Sequence, residues 1–329
     1  MSNFKACWRA AALTMLLNLS GGAQAANEAT PLKPQLQVLP AEHLAAATAT
    51  QMLAATRAGQ RIVAVGDHGV VLLSDDTGKH YRQAHAVPLS STLTGVSFIN
   101  ADTGWAVGHW GAILKTSDGG EHWSLQRSDV NVDQPLFSVH FKNAQEGWAV
   151  GLWSLMLHTV DGGTHWETVA LPPPAGAKKA DRNLYAIFAD AKGNLFVACE
   201  QGRVLHSSDG GATWSYSETG YAGSFWSGLA LSDGTLLVGG LRGTIYRSAD
   251  GGSSWQAASS SLKSSITDMR ELADKSIIAV GLDGAVLRSQ DGGVSFSGKP
   301  RADRAALTAV VDTQTGEPKL FSASGPLEQ

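Results

Sequence analysis

An all-β fold assembled from copies of one antiparallel unit is what this sequence predicts, on three observations. The first is a recurring motif, Thr116-Ser117-Asp118-Gly119-Gly120-Glu121-His122-Trp123. Further copies run from Thr159 to Trp166, Ser207 to Trp214, Ser248 to Trp255 and Ser289 to Phe296, and a worn copy from Ser74 to Tyr81. The aligned aspartates Asp76, Asp118, Asp161, Asp209, Asp250 and Asp291 are separated by 42, 43, 48, 41 and 41 residues. The second observation is what each copy closes: a small-apolar strand such as Gly104 to Gly108, a Gly turn, an alternating strand, the tight Asp-Gly turn and an aromatic-led strand. That order reads as an antiparallel meander of about four strands. The third is the period, since a unit of roughly 40 to 50 residues built this way marks a β-propeller blade. One blade cannot bury both of its faces, so the blades stack around an axis.

The chemistry of the motif is local. Its Asp accepts hydrogen bonds from the turn backbone, its Gly residues supply positive φ, and the Ser or Thr hydroxyl adds a further bond. The aromatic Trp123, Trp166, Trp214 or Trp255, with Phe296 in the last copy, is expected to pack between neighbouring sheets. These copies resemble the Asp-box, or bacterial neuraminidase repeat. The fuller unit, Gly-Trp-Ala-Val-Gly followed by Thr-x-Asp-Gly-Gly-x-x-Trp, resembles the photosystem II assembly and stability factor family, over about residues 50 to 325. The resemblance implies a WD40/YVTN-like propeller that binds a membrane-protein partner through an arginine-rich surface. Asp-box repeats alone also occur in sialidases, other glycoside hydrolases and sorting receptors, so the repeat by itself fixes no activity.

Taken in order, Met1 to Ala25 reads as a secretory signal peptide, with Lys5 and Arg9 before the apolar run Ala10 to Leu19 and a small-x-small site at Ala23 to Ala25. Residues 26 to 34 read as a flexible lead-in and 35 to 329 as a single propeller domain. The full sequence carries a formal charge of -4, and loss of Lys5 and Arg9 makes it more acidic. Such a balance excludes a nucleic-acid footprint. The periplasm, or a thylakoid lumen in a photosynthetic host, is the expected compartment, with the protein soluble or peripheral to the membrane and monomeric. Cys199 is then the only cysteine left. It stands where other units carry Gly108, Gly151, Gly240 and Gly281, and reads as a small buried hydrophobe.

Leu307 to Val311 and Leu320 to Ser324 match the first two strands of a unit that the chain is too short to finish. The alternating segment Gln35 to Leu39 is therefore expected to supply the outer strand and close the ring. Six motif copies and this composite make seven blades; six blades and a loose tail are the alternative.

With strands A to D running outward from the axis, the motif occupies each C-to-D turn. The B-to-C turns and D-to-A connections lie on the opposite, less repetitive face. There the turns read Asp67-His68, His109-Trp110, Leu152-Trp153, Glu200-Gln201, Leu241-Arg242 and Leu282-Asp283. Trp110 and Trp153 are either a partner surface, a sugar-stacking platform, or rings tucked under adjacent loops. Lys178, Lys179 and Arg182 follow Pro172 to Pro174, and with Arg203, Arg242, Arg301 and Arg304 they form either a cationic patch or scattered solvated charges. His68, His109 and Gln201 complete the candidate partner face.

No catalytic residue, metal site or cofactor is expected. The candidate acids Asp67, Glu200, Asp283 and Asp303 show no spacing that pairs them for glycoside hydrolysis. The Arg-Ile-Pro signature of sialidases is absent. His80, His122 and His165, replaced by Thr213, Ser254 and Ser295 in other copies, read as a tolerant turn position. The sequence thus predicts an exported, non-enzymatic binding scaffold for a membrane protein or complex. The client is photosystem II if the host is photosynthetic, otherwise an envelope complex such as a transporter. A glycan-binding or glycan-cleaving propeller is the alternative.

Overall fold

The computed structural model describes residues 38–313 and 316–327. Seven sheets follow one another along the chain, as the repeat predicts. The inner A strands are Met52–Ala58, Leu93–Phe98, Leu136–Phe141, Leu184–Ala189, Phe225–Ala230, Ile266–Glu271 and Leu307–Val311. Residues of all seven line one central cavity, which makes the sheets the blades of a propeller. Blades 1 to 5 have four antiparallel strands each. Blade 6 has four as well, and the linker before it adds a short parallel edge, Ser259–Ser260, beside Ser295–Pro300.

Each interface between blades is a small apolar core. The B strands Gly104–Gly108 and Gly147–Gly151 bury every residue, including Trp105 and Trp148 at 0% exposure. Trp105 stacks on Phe141 of the next blade's A strand and donates from Nε1 to the Gly162 carbonyl at 3.2 Å. The motif aromatics complete these cores as expected. Trp123 packs with Val63 and Leu73 of blade 1, Trp214 with Trp148 of blade 3, Trp255 with Phe196 of blade 4, and Phe296 with Leu237 of blade 5.

The motif geometry follows the reading above and adds to it. In blade 2, Thr116 Oγ1 donates to Asp118 Oδ1 at 2.9 Å and accepts from the Gly120 N–H, while Oδ1 accepts the His122 N–H. The second carboxylate oxygen then bonds the side chain at that last position. The partners are His80, His122 and His165 through Nδ1, and Thr213, Ser254 and Ser295 through Oγ. The position is therefore not a tolerant one. It needs a short side chain that can donate, which His, Thr and Ser share and which residue type alone conceals.

Blade 7 takes more of its sheet from the end of the chain than the sequence predicts. Among the described residues no N-terminal strand joins blade 7, whose sheet has three strands, Leu307–Val311, Lys319–Ser322 and Gly325–Leu327. Gln35 to Gln37 lie outside the described residues, and Val38 and Leu39 are not in a strand. The chain turns tightly at Ala323 and Ser324 and supplies its own third strand. Gly325 makes this fit: its φ is +97°, and a Cβ there would sit 1.9 Å from the Thr48 carbonyl oxygen of the short 3-10 helix Ala47–Ala49. The ring is closed between inner strands. Thr308 Oγ1 donates to the Met52 carbonyl at 2.5 Å, as Thr94 does to Leu136 and Thr267 to Leu307 at other blade junctions. Ala47, Met52, Ala55, Ala309, Val311 and Phe321 bury the seam.

Candidate functional site

The B-to-C turns carry a device repeated in six blades. The second residue of each turn lies in the left-handed region although none is glycine: His68 at φ 57°, Trp110 at 58°, Trp153 at 53°, Gln201 at 56°, Arg242 at 59° and Asp283 at 55°. This backbone costs roughly 1 to 2 kcal/mol for an L residue and turns the side chain outward from the sheet. In most of these turns the next residue is a glycine that also has positive φ. Blade 3 has Ser154 there, at φ 59°, so two consecutive non-glycine residues are left-handed. The connection that follows blade 3 holds them: Asn183 Oδ1 accepts the Trp153 N–H, and the Arg182 carbonyl accepts both the N–H and the hydroxyl of Ser154. Blades 2 and 5 use the same clamp, with Asp133 accepting from Trp110 and Ser265 from Arg242.

The two tryptophans part company. Trp153 is 59% exposed. Trp110 is half-buried and lines a cavity of about 220 Å³ with Val38, Leu39, Leu89, Ala112 and Val130. The expected pair is thus one exposed ring and one ring tucked beside the N-terminal segment and its own D-to-A connection.

The basic residues divide likewise. Lys178, Lys179, Arg242 and Arg304 are exposed on this face, as are His68 and Gln201. His109 lies 3.5 Å from Asp133. Arg301 forms a double contact with Asp303. Arg182 pairs with Asp181 and Arg203 with Glu218, their side chains only 18% and 13% exposed, and the Nε of each is buried without a hydrogen-bond partner. Arg182, Arg203 and Arg301 therefore belong to local pairs and not to an open cationic patch. Their partners lie one, fifteen and two residues away in sequence, a proximity that residue type alone does not reveal.

The four candidate acids Asp67, Glu200, Asp283 and Asp303 are likewise engaged. Glu200 accepts from the backbone and side chain of Asn183, Asp67 from Thr92, Asp283 from Ser264, and Asp303 from Arg301. Cys199 is fully buried and burial pushes its thiol up to about 12, so it packs as a hydrophobe. Among the described residues no group of three or more His, Cys, Asp or Glu is placed to hold a metal ion.

The inner strands shape a central cavity of about 680 Å³ that sequence reading passed over. Phe137, Tyr185 and Trp226 line it from blades 3, 4 and 5, and Asp268 and Arg270 from blade 6. The alternation of each A strand was visible, but only the ring brings seven separate strands to one axis.

Against known proteins, the family model described as photosynthesis system II assembly factor YCF48 matches residues 82–225. That segment resembles the photosystem II assembly factor family. Solved structures share the fold. A structure described as YCF48 bound to a D1 peptide superposes with a TM-score of 0.69 at 18% identity, covering 85% of this chain and 92% of that one. YCF48 from Cyanidioschyzon merolae gives 0.66 at 16%, covering 85% and 95%. The Cps50 (Swd1) β-propeller domain of Myceliophteria thermophila gives 0.64 at 12%, covering 84% and 94%. At these identities the superpositions establish architecture. No curated protein matches the chain significantly.

Proposed function

We propose that this propeller is an exported, non-enzymatic scaffold that holds a segment of a membrane protein on its B-to-C face during assembly. The observation that carries the reading is Trp153, an exposed indole on the B-to-C turn where two consecutive non-glycine residues are held left-handed. Strain kept in place by neighbouring hydrogen bonds around an exposed aromatic suits a binding surface better than a mere connection. The connection clamped to that turn carries the exposed Lys178 and Lys179, which favour acidic segments. Engagement of Asp67, Glu200, Asp283 and Asp303 within their own loops supports binding over glycoside hydrolysis. The expected signal peptide would place the protein in the periplasm or a thylakoid lumen. Photosystem II is then the client in a photosynthetic host, and an envelope complex such as a transporter in any other.

The test is affinity capture by the tagged mature protein from solubilised envelopes of its own host, beside a Trp153→Ala, Lys178→Glu, Lys179→Glu variant of unchanged melting temperature. A membrane protein recovered by the wild type and depleted at least tenfold with the variant is expected. Equal recovery by both, or hydrolysis of a glycan panel by the wild type, overturns the reading.

A further inference from the structure

The A strands begin at the B-to-C face, so their second residues ring that mouth of the central cavity: Leu53, Thr94, Phe137, Tyr185, Trp226, Thr267 and Thr308. Aromatics occupy this position in three consecutive blades. Phe137 and Tyr185 lie nearly parallel, their centroids 5.6 Å apart and planes 18° from each other. All three rings are only half-buried. One residue deeper the ring is mostly small, with Ala54, Gly95, Ser138, Ala186, Ser227 and Ala309, which leaves the cavity its volume. The exception is Asp268 on blade 6, the blade that follows the one carrying Trp226.

The polar groups of the cavity are held in place and neutral as a set. Asp268 Oδ1 accepts from Arg270 Nη1 at 2.9 Å and from the Met269 N–H, and Oδ2 accepts from the Val310 N–H at 3.0 Å. A carboxylate has about four acceptor sites, so about one is left over. Arg270 also donates from Nη1 to the Met269 carbonyl, and its side chain stays 35% exposed. His140 lines the same cavity, and burial lowers its pKa, which keeps the imidazole uncharged with one donor and one acceptor.

We infer that this cavity mouth is a binding site for a neutral saccharide, with Phe137, Tyr185 and Trp226 as the stacking surface and Asp268 with Arg270 as the hydroxyl-binding pair. Flat aromatic faces cover the apolar C–H side of a pyranose ring, and a fixed carboxylate–guanidinium pair offers acceptor and donor to neighbouring hydroxyls. The internal ion pair cancels its own charge, which disfavours an ionic ligand. Phe137 and Tyr185 stack on one another and present only their outer faces and edges, so they do not form the open box of rings that encloses a cation. The volume lies within the usual range for ligand pockets, roughly 300 to 1,000 Å³. This site is separate from Trp153, and the inference does not depend on the scaffold reading.

Calorimetric titration of the mature protein with chitotriose, maltotriose and choline chloride tests it, with tryptophan emission followed in parallel. Binding of at least one saccharide with a dissociation constant near or below about 10 mM is expected. Trp226→Ala should weaken it about tenfold or more, while Trp153→Ala binds as the wild type does. If Trp226→Ala melts early, Tyr185→Ala replaces it with the same expectation. Absence of heat with both saccharides, preference for choline, or wild-type affinity in the cavity variant overturns the inference. None of these results bears on capture of a membrane protein, so the two readings fail separately.

Discussion

The six motif turns on one face of this propeller and the six left-handed turns on the other treat their backbone in opposite ways. On the motif face, positive φ falls on glycines such as Gly119 and Gly120, and the aspartate satisfies the turn. Its aromatic is withdrawn into the core between sheets. On the opposite face the left-handed positions carry His, Trp, Trp, Gln, Arg and Asp, and a neighbouring connection is needed to hold several of them. The first face is optimised for closing blades. The second keeps strain in order to present side chains, and its residues differ from blade to blade because solvent, not packing, surrounds them.

The sharpest break in this comparison is a pair of tryptophan deletions. Trp123→Ala removes a ring packed against two blades, and a loss of about 3 to 5 kcal/mol is expected in denaturant unfolding. Trp153→Ala should move stability by no more than about 0.5 kcal/mol. Comparable losses at both positions would erase the distinction between the faces.

Acid comes next. The Thr213 hydroxyl and then its N–H pull Asp209 down to about 2, and Ser254 and Ser295 do the same for Asp250 and Asp291. These carboxylates sit below the unfolded aspartate value of about 3.9. Their stabilisation is therefore complete above about pH 4 and lost as pH falls towards 2. Melting temperatures between pH 6 and pH 2.5 should drop in the wild type. An Asp209→Asn, Asp250→Asn, Asp291→Asn variant should start lower and show a shallower drop, and parallel curves would count against the motif as the acid-sensitive element.

The smallest effect has the opposite sign. Gln201→Gly places glycine where φ is 56°, so relief of left-handed strain should raise stability by up to about 1 kcal/mol, read as a higher melting temperature. A glycine that destabilises this turn would show that the Gln201 side chain contributes more than its backbone costs.

How much was legible follows from where each physical constraint lies. The motif could be read because all its partners sit within a few residues: Thr116, Asp118, Gly120, His122 and Trp123 satisfy one another locally. Blade number followed from counting these units. The third strand of blade 7, entered at Gly325, was not legible because it depends on a close approach to Thr48, far away in sequence. The partner face was legible in outline, as Trp153, Lys178, Lys179, Arg242 and Arg304 are exposed there, but not in detail. The half-burial of Trp110 is set in part by the distant residues Val38, Leu39 and Leu89, and Arg203 is paired by Glu218 across its own sheet.

By itself, then, the chain determined a repeating β unit, its turn chemistry and the side on which it varies, since hydrogen bonds between near neighbours and alternation of apolar residues are written locally. Only the tertiary structure decided which rings stay exposed, how the ends meet, and that Phe137, Tyr185, Trp226 and Asp268 share one cavity. Those outcomes depend on bringing strands tens of residues apart to a common axis, where burial and electrostatic pairing act without regard to sequence distance.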